Sequence, residues 1–464
     1  MYPPYRLLWG RSTAVFILAL ALVGCKDEDR PAQTGQDAQT TDARDTADSE
    51  EPSDASDADA DGSHADTADA AETVDTFEPP VPEYPLTDEA YTTLQHLWAP
   101  TELDDEARNA MFGGDVTIQD IDQFEQYGIW VESAPGQPWI EHDELAAGFS
   151  GSVPDQRRSL LYFWESADPQ MVDEESPIRF EGVTAAPFGS TYRPHSHVIA
   201  QVFESHVRSV RRINDMGGRP IDFVFIAGDL TDGGQENELG WTIDILNGGI
   251  IDPDSGIDDD PIPGEGNDFT DPFWSVGIDA PWYPAVGNHE TLYSGLFPAT
   301  EEIKQAAVGD RVVDFTGELP ILRNIDGAQN GYRDASTPLG DVVTSGTLPP
   351  DPQRRILALE QVLETIQNAD GEPAGHGLTR QDVFDERGHY SFYPVDGKPI
   401  RFIVLNTLWE AATAQGGIGR EQFEWLEGEL RDAHRQDELV LVGSHHWAAD
   451  LSKVLSPTSP CHAA

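Results

Sequence analysis

Short apolar runs alternate with amphipathic stretches through the middle and the later part of this chain. Buried strands are predicted over 160–164, 223–227, 282–286, 400–405 and 439–442, and helices over 198–213, 236–246 and 421–434. The last of these helices has Phe423, Leu426 and Leu430 on the face that is predicted to be buried. Strands that alternate with helices in this way are typical of an α/β fold. Two turn-rich stretches, 252–271 and 305–376, are predicted to be surface insertions.

Side chains that can bind metals follow four of these strands directly. They occur in Ser166-Ala167-Asp168, Gly228-Asp229, Gly287-Asn288-His289-Glu290 and Ser444-His445-His446. The carboxyl ends of the strands are the edge at which an α/β sheet presents its ligands. Carboxylate and amide oxygens together with imidazole nitrogens suit Mn, Fe or Zn, and one carboxylate can bridge two ions. The sequence therefore predicts a site for two divalent or trivalent metal ions, which can clamp a phosphate and generate hydroxide.

This ordered set of motifs resembles the calcineurin-like metallophosphoesterase superfamily over about 84–447. The pattern of that family runs Asp-x-His, Gly-Asp, Gly-Asn-His-Asp/Glu, a histidine and finally Gly-His-x-His. The resemblance implies a four-layer α/β/β/α sandwich with the metals at the strand ends between its two sheets. It also implies that a hydroxide bridging the two metals hydrolyses a phosphate monoester or diester.

The resemblance also assigns the metal ligands. Asp229 would bridge both metals, Asp168 would hold the first, and Asn288 with His445 would hold the second. His446 is the alternative to His445, because neighbours on a strand point in opposite directions. We favour His445 as the ligand and keep His446 as a candidate for substrate binding.

His289 is the candidate catalytic residue, which would stabilise negative charge on the phosphoryl group and donate a proton to the leaving group. Gln170 stands where the family has a histidine, so an amide oxygen would be the ligand and the first metal would be held more weakly. A subset of bacterial members resembles this chain at Gln170 and also over 173–177 and 235–239. These two stretches are predicted to shape the mouth of the site, with helix capping as the alternative.

Two further groups are weaker candidates. His195 and His197 lie at the predicted start of a helix, where they could contact substrate, although exposed residues are common at helix starts. Asp252, Asp254 and Asp258 alternate as the carboxylates of calcium loops do, but the closing glutamate of an EF-hand is missing. They predict at most a calcium site separate from the transition metals.

The first 25 residues have the features of an export signal. Their apolar run is too short to span a bilayer and ends at Leu22-Val23-Gly24-Cys25, which resembles the bacterial lipobox. We expect Cys25 to be lipidated, with an ordinary signal peptide as the alternative. Lys26 after the cysteine favours the outer membrane or the cell surface over the inner membrane.

Acidic residues dominate the next segment and the chain as a whole. Residues 26–80 contain 18 acidic and 3 basic residues, and almost no apolar residues, so a disordered tether is predicted. The net charge of -56 argues against binding to nucleic acid, because phosphates would be repelled. Residues 81–157 are predicted to pack on the phosphoesterase domain, which is predicted over 158–464.

The last family motif, Gly-His-x-His, has no counterpart among the printed residues. By the resemblance it would follow His446 by some tens of residues, but the printed chain ends at Ala464 and offers only His462 there. We therefore expect this domain to be incomplete and without its last strands. The alternative to a working phosphoesterase is a surface lipoprotein that keeps the fold as a binding module or as an inactive relic.

Overall fold

The computed structural model describes residues 96–100, 130–136, 159–179, 196–216, 219–256, 269–314, 321–323, 348–448 and 451. Several predictions concern residues outside these ranges: the signal peptide with Cys25, the acidic tether, the domain boundaries, His195, Asp258 and His462. These predictions stay predictions. Among the described residues, no helix combines the length and the apolar character that crossing a membrane requires.

Strands and helices alternate along the described residues. The strands are β1 (His96–Pro100), β2 (Trp130–Pro135), β3 (Phe163–Ser166), β4 (Phe223–Ile226), β5 (Gly249–Ile251), β6 (Phe273–Ser275), β7 (Trp282–Pro284), β8 (Leu292–Tyr293), β9 (Phe297–Pro298), β10 (Val312–Asp314), β11 (Ile321–Arg323), β12 (Tyr390–Phe392), β13 (Ile400–Leu405) and β14 (Leu439–Ser444). The α-helices are α1 (Ile199–Met216), α2 (Glu236–Asn247), α3 (Glu301–Ala307), α4 (Leu359–Asn368), α5 (Arg380–Phe384) and α6 (Arg420–Arg435). Short 3-10 helices lie at Ser196–Val198, Pro352–Arg354, Ala374–Gly377 and Glu410–Gln415.

Two three-stranded sheets form the centre of the fold. The first has the order β3-β4-β7 and is parallel throughout. The second has the order β12-β13-β14, with β13 parallel to β14 and β12 antiparallel to β13. In the first sheet Ser166 pairs with Ile226, and Ile226 pairs with Pro284, so the three strands end at the same edge. The predicted metal ligands follow these strand ends.

Aromatic side chains join the two sheets. Phe223 stacks on its neighbour Phe163 at 4.9 Å between ring centroids. It also meets Phe402 and Phe392 of the second sheet edge-on, at 5.3 and 5.4 Å. Tyr283 stacks on Phe392 at 3.7 Å. Such pairs contribute about 0.5–1.5 kcal/mol each beyond the burial of their area, so these contacts hold the facing sheets together.

The long helices pack on the sheets through the stripes that their sequences predict. On α1, Phe203, Val207 and Val210 recur at helical spacing and share one apolar core with the first sheet. On α6, Leu426 and Leu430 pack against the second sheet. The mixed α/β class is therefore confirmed, and the ends of both helices differ from the predictions by a few residues at most.

Phe423 of α6 is a correction to the predicted packing, because its side chain is 38% exposed. The buried Gln422 and Ala433 show that the inward stripe is centred near Leu426. At about 100° per residue, Phe423 falls at the margin of this stripe. Trp425 packs against the same cluster instead.

The first predicted strand begins later than its apolar run. Leu160 is 55% exposed, and pairing with β4 begins only where Phe163 meets Phe223. The apolar run begins before the first residue that pairs with β4, so its first residues lie outside the sheet.

The prediction of a surface insertion over 305–376 is wrong for its later part. Leu357 and the inner face of α4 belong to the main apolar core, and both Arg354 and His376 are fully buried. Turn-forming residues determine the local path of a chain but not its burial. This segment packs inward because α4 is amphipathic.

Candidate metal centre

The chain continues its strand-like pairing beyond the ends of β3 and β4. The backbone N–H of Asp168 donates to the carbonyl of Gly228 at 3.1 Å, and the backbone N–H of Gln170 donates to the carbonyl of Asp229 at 2.9 Å. These backbone hydrogen bonds place the two aspartates side by side at the edge of the sheet.

Three residues at this edge have a strained backbone. Asp168, Gln170 and Asp229 have φ values of 52°, 44° and 53°, in the left-handed region that side-chain-bearing residues seldom adopt. Such conformations cost about 1–3 kcal/mol each and cluster at functional sites. Because Asp168 and Asp229 also bring their carboxylates into one cluster, the strain is a reason to regard this edge as the functional site.

The five predicted metal ligands come together here, although Gln170 faces Asp229 with its amide nitrogen. Ligand atoms of Asp168, Asp229 and His445 all lie within 4.8 Å of one another. His445 Nε2 is 3.2 Å from Asp229 Oδ2 and 3.1 Å from Asn288 Oδ1. These side chains follow β3, β4, β7 and β14, so ligands that are far apart in sequence meet at the strand ends.

Hydrogen bonding selects the ligand atom of His445. Its Nδ1 lies 2.9 Å from the carbonyl oxygen of Ala227, which can only accept, so Nδ1 carries a hydrogen. Nε2 is then the atom that faces the oxygens of Asp229 and Asn288. Burial by itself lowers the pKa of His445, but the charge of Asp229 outweighs it and raises the pKa to about 10. A metal ion bound among these oxygens would displace that proton.

Asp229 accepts hydrogen bonds from the loops after β3 and β7. Its Oδ1 accepts a hydrogen bond from the backbone N–H of His289 at 2.9 Å, and its Oδ2 accepts one from the side-chain amide of Gln170 at 3.2 Å. Burial by itself raises the pKa of Asp229, but His445 and His289 lower it well below its usual range. The carboxylate is therefore ionised, as binding to a metal ion would require. The side chain of Gln170 faces Asp229 with its amide nitrogen rather than its oxygen. Its predicted role as a metal ligand therefore stays a prediction.

His289 is held by a residue that the sequence did not single out. Its Nδ1 lies 2.7 Å from the carbonyl oxygen of Asp232 and 3.7 Å from the carboxylate of the same residue. This leaves Nε2, which is 3.9 Å from Asp229 Oδ2, on the side of the metal ligands. Arg179 in turn lies 3.4 Å from the Asp232 carboxylate. The spacing Gly-Asp-x-x-Asp was the available signal, but it does not reveal which atoms meet.

Glu290 is the second residue whose role only the contacts reveal. Its carboxylate accepts the backbone N–H groups of Gly287, Asp229, Leu230 and Thr231 at 2.5–3.3 Å. Burial, followed by the charge of Asp229, raises the pKa of Glu290 to about 7. One side chain therefore ties the loop after β7 to the loop after β4.

Gly287 permits this close approach of the two loops. A Cβ atom at this position would lie 2.1 Å from Asp229 Oδ1 and 2.6 Å from the backbone nitrogen of Asp229. Both are far shorter than van der Waals contact, so any other residue would push Asp229 away from the remaining ligands.

The adjacent histidines take different roles. The ring of His446 lies beside that of His445, with 4.6 Å between ring centroids, and its Nδ1 is 2.8 Å from the Thr407 hydroxyl. Burial, followed by the charge of His445, lowers the pKa of His446 to about 4. Among the described residues nothing hydrogen-bonds its buried Nε2. His445 is thus the member of the pair that meets the carboxylates, while substrate binding by His446 stays a prediction.

The weaker candidates lie apart from this cluster. His197 is half-buried, and its ring contacts Phe269 at 5.7 Å. Asp252 and Asp254 do not belong to any close group of three metal-binding side chains among the described residues. Asp258 lies outside those residues, so the calcium site stays a prediction.

The stretches 173–177 and 235–239 bind each other. The Asp173 amide donates to Glu238 at 3.2 Å, and the Ser176 hydroxyl donates to Gln235 at 2.7 Å. Glu238 also accepts the backbone N–H of Gln235 at the start of α2. Gln235 and Glu238 form a capping box at the start of α2, as the capping alternative predicts, and both side chains are buried.

The donor set fits the metals that the sequence predicts. Two carboxylates, one amide oxygen and one imidazole nitrogen suit Mn, Fe or Zn better than softer metals, which prefer thiolates. The four groups lie at one buried edge and come from four strand ends, so the fold holds them before any ion binds. The number of ions stays a prediction.

Comparison of the chain with models of known protein families and with curated proteins finds no match. A functional assignment therefore depends on the fold, on the ligand cluster and on the motifs at the strand ends.

Proposed function

We propose that this protein is a metal-dependent phosphoesterase of the calcineurin-like class, which hydrolyses phosphate monoesters or diesters at a dinuclear site. The observation that carries the proposal is the convergence of Asp168, Asp229 and His445 within 4.8 Å. Asn288 meets His445 at the same edge, and His289 follows it. A chance cluster would not be expected to reproduce these four ligands in the order of the family motifs.

The proposal includes a four-layer α/β/β/α arrangement. The aromatic contacts of Phe223 with Phe392 and Phe402 support two facing sheets. The apolar stripes of α1 and α6 support a helical layer outside each sheet. In this arrangement the ligand-bearing strand ends of both sheets lie at one edge.

The chemistry divides between the metals and the chain. When bound, the ions supply Lewis acidity toward the phosphate and a nucleophile at neutral pH. Asp229 contributes a carboxylate that stays ionised, because its pKa is well below the usual range. His289 presents Nε2 because its Nδ1 is held by the carbonyl of Asp232. From this position His289 would stabilise the charge on the phosphoryl oxygens and donate a proton to the leaving oxygen.

Asp229→Asn is the direct test, with metal content and hydrolysis of bis(p-nitrophenyl) phosphate as readouts. We expect the wild type to bind about two Mn, Fe or Zn ions, and the variant to lose metal and at least about 100-fold in kcat/KM, because the shared carboxylate is gone. Asp279→Asn, whose carboxylate is 71% exposed, is the control and should change neither readout. Hydrolysis that is unaffected by Asp229→Asn would exclude the two-metal mechanism.

One observation favours the alternative of a binding module without turnover. Gln170 occupies the place of a metal-binding imidazole, and its amide donates to the proposed bridging carboxylate at 3.2 Å. Tight metal binding by the wild type without hydrolysis of phosphate monoesters or diesters would support this alternative.

A further inference from the structure

A pocket of about 370 Å³ lies among the β8–β9 hairpin, the start of α4 and the residues after β13. Apolar side chains on its walls include Pro298, Ile356, Leu357 and Leu408, and polar or charged side chains form the rest of the lining. None of the predicted ligands or catalytic residues lines it. Ligand-binding clefts of this size and character typically enclose a small organic group.

Two walls of the pocket contact the residues that follow β7. Thr291, which lines the pocket, donates its backbone N–H to the carbonyl of the ligand Asn288 at 3.5 Å. Pro298 belongs to the hairpin whose turn holds Gly295 against the ring of His289, so close that a Cβ there would lie 2.2 Å from Nε2. The hairpin thus forms one wall of the pocket and also packs against the ring of His289.

The other two walls also border the metal centre. Leu408 follows Thr407, whose hydroxyl lies 2.8 Å from Nδ1 of His446. Leu357 donates its backbone N–H to the carbonyl of Gly234 at 2.8 Å, and Gly234 lies against the backbone of His289. Hydrogen bonds and close backbone contacts therefore connect these walls to residues next to the metal site. A phosphate bound there could extend its organic group into the pocket.

The charged groups of the pocket are mainly acidic. Glu386 and Glu410 line it with exposed side chains, and neither forms an ion pair with another described residue. Lys304 is the basic lining residue, and its charge is offset by Glu301 at 3.0 Å. Such a pocket attracts cations and repels a second anionic group.

We propose that this pocket binds the alcohol portion of the phosphate ester, and that Glu386 and Glu410 select an alcohol that carries an ammonium group. The inference rests on the proposed phosphoesterase function and specifies its substrate class. The apolar walls would contact methyl and methylene groups, while the two carboxylates would face the positive charge. Because both carboxylates are exposed, the selectivity is expected to be moderate and to weaken with salt.

Two chromogenic diesters that differ in one atom test the selectivity. p-Nitrophenyl phosphorylcholine carries a quaternary nitrogen, and p-nitrophenyl 3,3-dimethylbutyl phosphate has carbon in its place. In both, water adds to phosphorus and nitrophenolate leaves. We expect kcat/KM to be about tenfold higher for the choline ester at low salt, a difference of about 1.4 kcal/mol.

The double variant Glu386→Gln/Glu410→Gln should bring this ratio close to one, mainly by lowering kcat/KM for the choline ester. Glu360→Gln is the matched control, because Glu360 is exposed on α4 between two lining residues without lining the pocket itself. Its ratio should equal that of the wild type. A ratio near one in the wild type, or one that the double variant leaves unchanged, would overturn the inference.

Binding to the metal-free protein separates this inference from the proposed function. Choline and its neutral analogue 3,3-dimethylbutan-1-ol are titrated against the wild type and the double variant, followed by ligand-observed NMR. A preference for choline that disappears in the double variant supports the pocket even if neither ester is hydrolysed, in which case the phosphoesterase proposal fails alone. Hydrolysis of both esters without such a preference supports the proposed function and rejects the selectivity.

Discussion

At the scale of single residues, the metal centre depends on carboxylates with different tasks. Asp229 has a backbone in the left-handed region and is ionised, whereas Glu290 accepts backbone N–H groups from both loops that carry ligands. Fixed N–H donors hold a carboxylate without the mobility of a long side chain. Glu290 therefore maintains the position of Asp229, and the metals would meet ligands that are already arranged.

Glu290→Gln tests this dependence. One carboxylate oxygen would be replaced by an NH₂ group that faces backbone donors, so at least one buried N–H would lose its partner. We expect the free energy of unfolding, measured with urea, to fall by about 2–4 kcal/mol. Glu427→Gln, an exposed position on α6, is the control and should change it by less than about 0.5 kcal/mol. Equal small effects of both substitutions would contradict the role given to Glu290.

At the scale of elements, α1 is joined to β3 by a half-buried polar contact. His206 Nε2 accepts the indole N–H of Trp164 at 3.3 Å and lies 3.0 Å from the Ser166 hydroxyl. An accepting Nε2 requires the neutral imidazole, and burial lowers the pKa of His206 below its ordinary 6.5. The contact between the helix and the strand therefore depends on a neutral histidine.

The pH dependence of this contact follows from the direction of the shift. Below about pH 6.5 the unfolded chain binds a proton at His206 more readily than the folded chain does, so this contribution to stability falls as the pH falls. His206→Asn lacks the titration, so its cost in unfolding free energy should be smaller at about pH 5.5 than at about pH 8. A cost for His206→Asn that does not change with pH would show that the histidine is not held neutral.

At the scale of the whole molecule, Arg354 joins segments that are far apart in sequence. It is fully buried, and its Nε lies 3.2 Å from Asp173 Oδ2 and 3.1 Å from the Ser255 hydroxyl. It also donates to the carbonyl of Pro349 at 2.8 Å. Asp173 is bound in turn by Asn237 of α2 at 2.8 Å. One guanidinium therefore connects the loop after β3, the start of α2 and the segment before α4.

The neighbours Arg354 and Arg355 provide a matched comparison. Arg354→Met leaves the Asp173 carboxylate buried without its cation, so we expect unfolding free energy to fall by about 3–5 kcal/mol. Arg355 pairs with Glu236 at the surface, and Arg355→Met should cost less than about 1 kcal/mol. Adding Asp173→Asn to Arg354→Met should recover part of the loss, because the unpaired charge is removed. Similar losses from both single substitutions would show that the buried pair does not connect the segments.

The sequence by itself determined the class of fold and the chemistry at the strand ends. The strand over 400–405 and the helix that begins at Glu236 were predicted to within a residue, because the spacing of apolar side chains is a local property of the chain. The placement of Asp168 and Asp229 directly after strands predicted their meeting, since parallel strands end at a common edge.

Only the tertiary structure decided which atoms meet and which segments are buried. His445 rather than His446 faces Asp229 because its ring is fixed by the carbonyl of Ala227, which is 218 residues earlier in the chain. The burial of Arg354 depends on an equally distant partner, Asp173. Local spacing specifies the face on which a side chain lies, but a hydrogen-bond partner is specified by the approach of distant segments. That approach is a property of the packed molecule as a whole.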